Sequence, residues 1–273
     1  MQIIALTTYP LKSGAPTSHE RILAGPMGLE GDRRWAVCDE SGVVATRREL
    51  PQLARLNVAS TADGLRTTCD GISLEVPVPV NVDPVAAQVF STRFNGVLDA
   101  GDAAAGFVSE ALGQPLRLVY FPDAPLRPVS VKHGPEGHYT AFADGYPILI
   151  ATEASRAALN AALGEEIAMR RFRPNIVVDG DFAPWSEDKW VLIRAGGALL
   201  RIVKPCERCV MTTQDPDTGE RLDPREPLYT LGKLHRSARG KIIFGQNAIV
   251  EEAGVLRLGD AVEVVETGPS NLL

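Results

Sequence analysis

The sequence predicts a mainly β chain of α+β type with few short helices. Three observations predict it. Short apolar and β-branched runs recur along the chain, bounded by Gly, Pro, Asn and Asp. Two-residue turns, Asp70-Gly71 and Gly196-Gly197, join neighbouring runs as antiparallel hairpins. Helical patterning is confined to residues 103–112, residues 153–163 and a short stretch after Asp223.

Residues 2–7 read as a first strand. It ends at Tyr9-Pro10-Leu11-Lys12-Ser13-Gly14, where a cation, a hydroxyl and a glycine fall together. Such a turn suits an anion held by backbone amides and Lys12. Further strands are expected from about Arg34 and over residues 43–46, 53–58, 64–69, 72–76 and 85–90, the last followed by a loop. Phe107, Val108, Ala111 and Leu112 form one stripe, so 103–112 is a helix with Asp102 as N-cap and Gly113 just past its end. After a strand at 116–121, residues 122–137 hold four prolines and two glycines. This irregular crossover divides the chain into domains 1–121 and 122–268.

Residues 148–151 form the next strand, and Thr152 caps a helix over 153–163 that Gly164 ends. Phe172-Arg173-Pro174-Asn175 is a rigid corner before a strand at 176–178. Pro174 fixes φ, Arg173 offers a planar donor fork and Asn175 both donates and accepts. Residues 190–193 and 198–204 make a hairpin. Asp223, Pro224 and Glu226 mark a helix start, with Leu228, Leu231 and Leu234 on one face. Residues 242–249 and 261–265 are the last strands, split by 254–260.

At 273 residues, 45% apolar and 23% charged, the chain has ample material for a core. A net charge of −6 argues against a nucleic-acid partner. Four cysteines do not make a disulfide framework, and Cys38 and Cys69 read as structural. The N-terminus lacks a basic leader, and no run approaches the ~20 apolar residues of a membrane span. A cytoplasmic protein without a membrane partner is expected.

The strand at 198–203 delivers Cys206-Glu207-Arg208-Cys209, then Thr212-Thr213 and the turn Asp215-Pro216-Asp217-Thr218-Gly219. Taken alone, the CxxC admits several readings. Zinc normally asks for a second ligand pair, and a thioredoxin-type dithiol for a helix start. A single thiolate beside Arg208 could bind a soft metal or a sulfur species. A structural cysteine is the plainest alternative.

The longer pattern Cys-x-Arg-Cys-x-x-Thr-Thr-x-Asp-Pro-Asp-Thr-Gly closely resembles the signature of MOSC-domain proteins, and within them the amidoxime-reducing branch of mitochondria and bacteria. Tyr9-Pro10-x-Lys12-Ser13, Asp32-Arg33-x-Trp35, Thr46-Arg47-Arg48, Phe172-Arg173-Pro174-Asn175, Phe244-Gly245-x-Asn247 and Gly259-Asp260-x-Val262 extend the resemblance over nearly the whole chain. Gly145 and Tyr146 depart from the Thr-Ser of the mitochondrial proteins.

The resemblance implies an N-terminal MOSC-type β domain packed on a MOSC β-barrel, with molybdenum cofactor (Mo-molybdopterin) between them. Cys209 would be the metal ligand and Cys206 a neighbouring non-ligand. Lys12, Ser13, Arg33, Arg173 and Asn175 would hold the pterin and its phosphate, with Arg47 structural or at the rim. The implied reaction takes oxygen from amidoximes, hydroxamic acids or N-hydroxylated bases and releases water, with Asp215 or Asp217 as a candidate proton relay. The cysteines lack ferredoxin spacing, so electrons would come from a separate ferredoxin- or flavin-type partner. Two rival readings are a sulfur carrier or cofactor-handling protein with a persulfide on Cys206 or Cys209, and a zinc or binding module. The aminotransferase-like domain of cofactor sulfurases is not recognisable here, so pyridoxal phosphate is not expected.

Overall fold

The computed structural model describes residues 1–124, 127–221 and 223–273. Its largest sheet has the spatial order Thr17–Ser18, Gln2–Thr8, Ile176–Asp179, Ile148–Thr152, Ile243–Glu252, Ala198–Glu207, Trp190–Ala195 and Val262–Thr267. Neighbours are antiparallel except Ile148–Thr152 and Ile176–Asp179. A parallel pair needs a crossover, and the helix Glu153–Leu163 lies on that connection. The sheet curls until its ends approach: Gln2 bridges Ala261, and the Ile3 amide donates to the Asp260 carbonyl at 2.9 Å. Ile3, Leu6, Ile148, Ile150, Ile176, Val178, Ile193, Leu200 and Ala248 fill the inside. All five residues of Ile148–Thr152 are buried, as expected of a central strand covered on both faces.

The N-terminal half adds a four-stranded sheet, in the order Trp35–Cys38, Arg117–Tyr120, Thr92–Asp99 and Val85–Val89, and the meander Asn57–Ser60, Gly64–Cys69 and Ile72–Pro77. Ala104, Val108 and Leu112 of the helix Asp102–Leu112 share a core with Leu53, Leu65 and Leu118. Strand pairing also joins the two halves. Gln2–Thr8 pairs with Ile176–Asp179, and Arg21–Gly25 pairs with Gly254–Arg257.

Several elements differ from expectation for local reasons. Residues 53–58 are not one strand: Pro51, with φ pre-set for a first helical turn, opens a 3-10 turn Pro51–Arg55 that sends Leu53 into the core. Residues 43–46 make only the bridges Val43–Gln88 and Cys38–Val44. The loop expected after residue 90 is the return strand Thr92–Asp99, hidden in the sequence because its turn carries Phe90 instead of Gly or Asn. Residues 254–260 hold the strand Gly254–Arg257. Gly101, with φ 85°, takes the N-cap expected of Asp102, which lies in the first turn where its charge faces the helix dipole. Asp223 accepts from the amides of Arg225 and Glu226, but the helix forms only over Leu228–Leu234, and Leu234 is exposed. Thr152 caps its helix as expected, accepting from the Ser155 amide.

A polar cluster ties the C-terminal helix to the sheet. His235 Nε2 meets Asp188 Oδ2 at 2.7 Å while Nδ1 lies 3.0 Å from the Ile243 carbonyl, an arrangement in which both nitrogens can donate. Gln246 Nε2 donates to the other Asp188 oxygen, Glu187 lies alongside, and Trp185 stacks on the imidazole. Burial lowers the His235 pKa, but the Asp188 carboxylate outweighs it and leaves the pKa raised.

Two outcomes follow from this packing. A pKa raised in the folded state gives stability that is complete below the unfolded value of about 6.5 and is lost as pH rises through the folded value. The urea midpoint should therefore fall between pH 6 and pH 9 in the wild type, and that slope should shrink in Asp188→Asn. Gly245 has φ 76°, and a Cβ there would stand 2.6 Å from the Ile150 carbonyl oxygen. Gly245→Ala should thus lower unfolding free energy by about 1–3 kcal/mol in urea titrations.

Candidate functional site

Sheet order brings three distant motifs together. Strand Gln2–Thr8 runs into the turn that carries Lys12 and Ser13, the corner Arg173-Pro174-Asn175 feeds Ile176–Asp179, and Ala198–Glu207 leads to Cys209. Lys12, Ser13, Arg33, Arg173, Asn175 and Cys209 all line one cleft. Ser13, Arg33 and Arg173 have φ of 64°, 49° and 55°. They are three of seven non-glycine residues with positive φ among the described residues, and such conformations concentrate at ligand sites.

The cleft is strongly cationic. Lys12, Arg33, Arg48, Arg171, Arg173 and Arg208 line it against the carboxylates of Asp144 and Glu207. Lys12 donates to the Phe142 carbonyl at 2.8 Å and pairs with Asp144. Burial lowers the Lys12 pKa, with Asp144 opposing. Burial pushes the Asp144 carboxyl up, but Lys12, then Arg48 and Arg33, hold it at about 2. Asp144 stands in solvent at the cleft, so these charges decide its state more than its burial does.

The buried ring of Tyr9 is the platform of the site. The guanidinium carbon of Arg173 lies 3.9 Å from its centroid and that of Arg33 lies 4.6 Å away. Arg33 pairs with Asp32 and donates to Asn175 Oδ1 at 3.0 Å. Asn175 also accepts from the Leu149 amide and donates to the Thr7 carbonyl, so its amide orients Arg33 and joins two strands. Arg173 donates to the Gly14 carbonyl at 2.8 Å, and among the described residues no carboxylate pairs with it. Burial, then the charge of Arg47, pulls the Arg173 pKa down to about 9. Arg47 is itself buried and holds the turn from behind, donating to the Ser13 carbonyl at 2.7 Å.

Each thiol of the CxxC faces a guanidinium. Arg48 Nη2 lies 3.3 Å from Cys209 Sγ, and Arg208 Nη1 lies 2.9 Å from Cys206 Sγ. Arg208 also donates to the Phe172 carbonyl at 2.7 Å, and Phe172 stacks on Phe244 beneath the loop. Its buried Nε has no partner among the described residues. Thr212 and Thr213 do not line the cleft. Their hydroxyls donate to the Cys209 and Val210 carbonyls and fix the loop. Cys38 and Cys69 are buried elsewhere, and burial pushes the Cys38 thiol up to about 12.

Asp215 does not join the cleft. Its carboxylate accepts from the amides of Asp217 and Thr218 at 2.9 Å each, and these bonds hold its pKa low, so it closes its own turn and is poorly placed to relay protons. Asp217 instead pairs with Arg170. The site residues that sequence reasoning did not assign are Arg48, Asp144 and Tyr9. Each stood in a pattern without a role of its own: Tyr9 opens Tyr9-Pro10-x-Lys12-Ser13, Asp144 opens Asp-x-x-Pro147, and Arg48 is the second half of Arg47-Arg48, where the first arginine turns inward and the second reaches the thiol.

Residues 1–115 match the MOSC N-terminal beta barrel domain, and residues 137–263 match the MOSC domain. The chain belongs to the MOSC-domain family. Among its relatives, mitochondrial amidoxime-reducing component 1 of Homo sapiens is 34% identical over 95% of this chain and 82% of that protein. Component 1 of Danio rerio is 34% identical over 95% and 83%, and component 2 of Bos taurus 33% over 94% and 81%. The charged cleft of this MOSC protein draws on both family regions, with Lys12, Arg33 and Arg48 from the first and Arg173 and Cys209 from the second. Among the described residues no helix is long and apolar enough to cross a membrane.

Arg173 is half-buried and has no carboxylate partner among the described residues, so its lost hydration costs the ligand-free chain stability. Arg173→Leu should raise the urea stability of cofactor-free protein by roughly 1 kcal/mol while weakening retention of an anionic ligand. Chemical unfolding and cofactor content measured on the same preparations check both halves of this expectation.

Proposed function

We propose that this MOSC protein is a molybdenum-dependent oxidoreductase that reduces N-hydroxylated compounds. The observation that carries the reading is a thiol pair, Cys206 and Cys209, set in a cleft with six cationic side chains and only two carboxylates, with Cys209 facing Arg48. Soft thiolates suit molybdenum, and clustered arginines suit a phosphate. The family and the names of its relatives support the same assignment.

The residues present fit the cofactor. Cys209 would ligate the metal, and Arg48 donates to its sulfur, a contact that a thiolate readily accepts. Arg173, Arg33 and Lys12 would hold the phosphate and pterin; among the described residues Arg173 has no carboxylate partner and Arg208 Nε no acceptor, so both have donors to offer. Asn175 keeps Arg33 in place, and Arg47 keeps the Ser13 turn in place. When bound, the cofactor supplies two-electron oxygen-abstracting chemistry. The net change converts N–OH to N–H and water with two electrons and two protons. A separate ferredoxin- or flavin-type protein would deliver the electrons, and the substrate would be an amidoxime, a hydroxamic acid or an N-hydroxylated base.

Expression in a host that makes the cofactor, followed by molybdenum analysis and assay with an amidoxime and reduced methyl viologen, tests the reading. Wild type should hold near-stoichiometric molybdenum and reduce the amidoxime. Cys209→Ala should abolish reduction, Arg48→Ala should lower it roughly 10- to 100-fold, and Cys206→Ser should keep it. Wild type that reduces nothing, or equal loss in both cysteine variants, would favour persulfide handling instead.

A further inference from the structure

Phe90 occupies an unusual place beside this cleft. Val89 pairs with Thr92, so Phe90 and Ser91 form a two-residue hairpin loop. Such loops favour Asn or Gly, because the chain must adopt positive φ. Phe90 adopts it nonetheless, at 52°, and its side chain is 48% exposed. A bulky residue at such an angle invites a search for a use beyond folding.

Two cleft cations lie over the ring. The Arg48 guanidinium carbon is 4.8 Å from the centroid, and Lys12 Nζ is 5.5 Å away. Arg48 also donates to Cys209 Sγ, so one guanidinium separates the Phe90 ring from the thiol. Phe90 further lines a recess of about 320 Å³, with Val44, Ala45 and Leu116 as apolar walls. That volume lies within the range of small-molecule sites. Thr46 lines both the recess and the cleft, so the two adjoin.

We propose that Phe90 and this recess seat the planar, unsaturated part of the substrate beside Cys209. The site then favours aryl amidoximes and N-hydroxylated aromatic bases over compact aliphatic hydroxamic acids. This proposal rests on the N-reductive reading above. A flat π-system gains both buried area and offset stacking against Phe90, whereas a methyl group gains little of either.

The test compares wild type, Phe90→Ala and Phe90→Tyr, each with measured molybdenum content and thermal midpoint. Benzamidoxime and acetohydroxamic acid are the substrates and reduced methyl viologen is the donor. Phe90→Ala should raise KM for benzamidoxime roughly five- to tenfold with little change in kcat, and should leave acetohydroxamic acid within about twofold. Phe90→Tyr should behave as wild type. Equal effects on both substrates, or none on either, would overturn the proposal. Saturation-transfer NMR of benzamidoxime, run without reductant, gives a readout independent of turnover. Transfer from wild type and Phe90→Tyr that is lost in Phe90→Ala supports the seat, and equal transfer from all three overturns it. If wild type is loaded with molybdenum yet reduces neither substrate, the N-reductive reading fails, and the NMR result still decides whether Phe90 holds the ring.

Discussion

Positive charge gathered around one buried tyrosine is the constraint from which the rest of the site follows. Arg33 and Arg173 both lie over Tyr9, and Asp32, which pairs with Arg33, also accepts from the Tyr9 amide. Arg173 finds its hydrogen bond on the Gly14 carbonyl instead. Like charges in a partly desolvated space repel, and the fold overcomes this by rigid attachment. The Tyr9 hydroxyl donates to the Pro174 carbonyl, Asn175 bridges to the Thr7 carbonyl, and Arg47 clasps the Ser13 turn from behind. An anion entering such a place meets donors already oriented and little solvent to displace.

The curled sheet makes this rigidity possible. Turn, corner and cysteine loop leave strands of one sheet, so their separation is set by backbone hydrogen bonds. The pairing between Ala198–Glu207 and Ile243–Glu252 shifts register between Ile202 and Lys204 and again between Pro205 and Glu207. These irregularities fall where the strand turns toward the thiols, a usual position for bulges beside functional sites. Gly245 meets the same region at positive φ, against the Ile150 carbonyl. Stacked Phe172 and Phe244 support the loop from below through the Arg208 contact.

Much of this was legible in the sequence where residue type dictates geometry. Thr152, Gly113 and Asp70-Gly71 did what their chemistry requires, and six residues chosen from widely spaced motifs line one cleft. The illegible parts depend on tertiary placement. Nothing local distinguishes Arg47, which turns inward to the Ser13 carbonyl, from Arg48, which reaches a sulfur 161 positions away. The pattern Asp144-x-x-Pro147 is readable, but that its carboxylate pairs with Lys12 is set by the fold. The hairpin at Phe90 lacks the residues by which such turns are recognised, so its return strand was missed. Asp215 shows the opposite case, in which the local residue types already point to the turn that its carboxylate closes.

Under the proposed function Cys209 would be the protein's ligand to molybdenum. Molybdenum K-edge X-ray absorption on cofactor-loaded wild type and Cys209→Ser tests it most directly, because it counts sulfur neighbours of the metal. One sulfur fewer is expected around the metal in the variant, with Cys206→Ser unchanged from wild type. An identical sulfur shell in wild type and Cys209→Ser, or loss of a sulfur in Cys206→Ser instead, would contradict it.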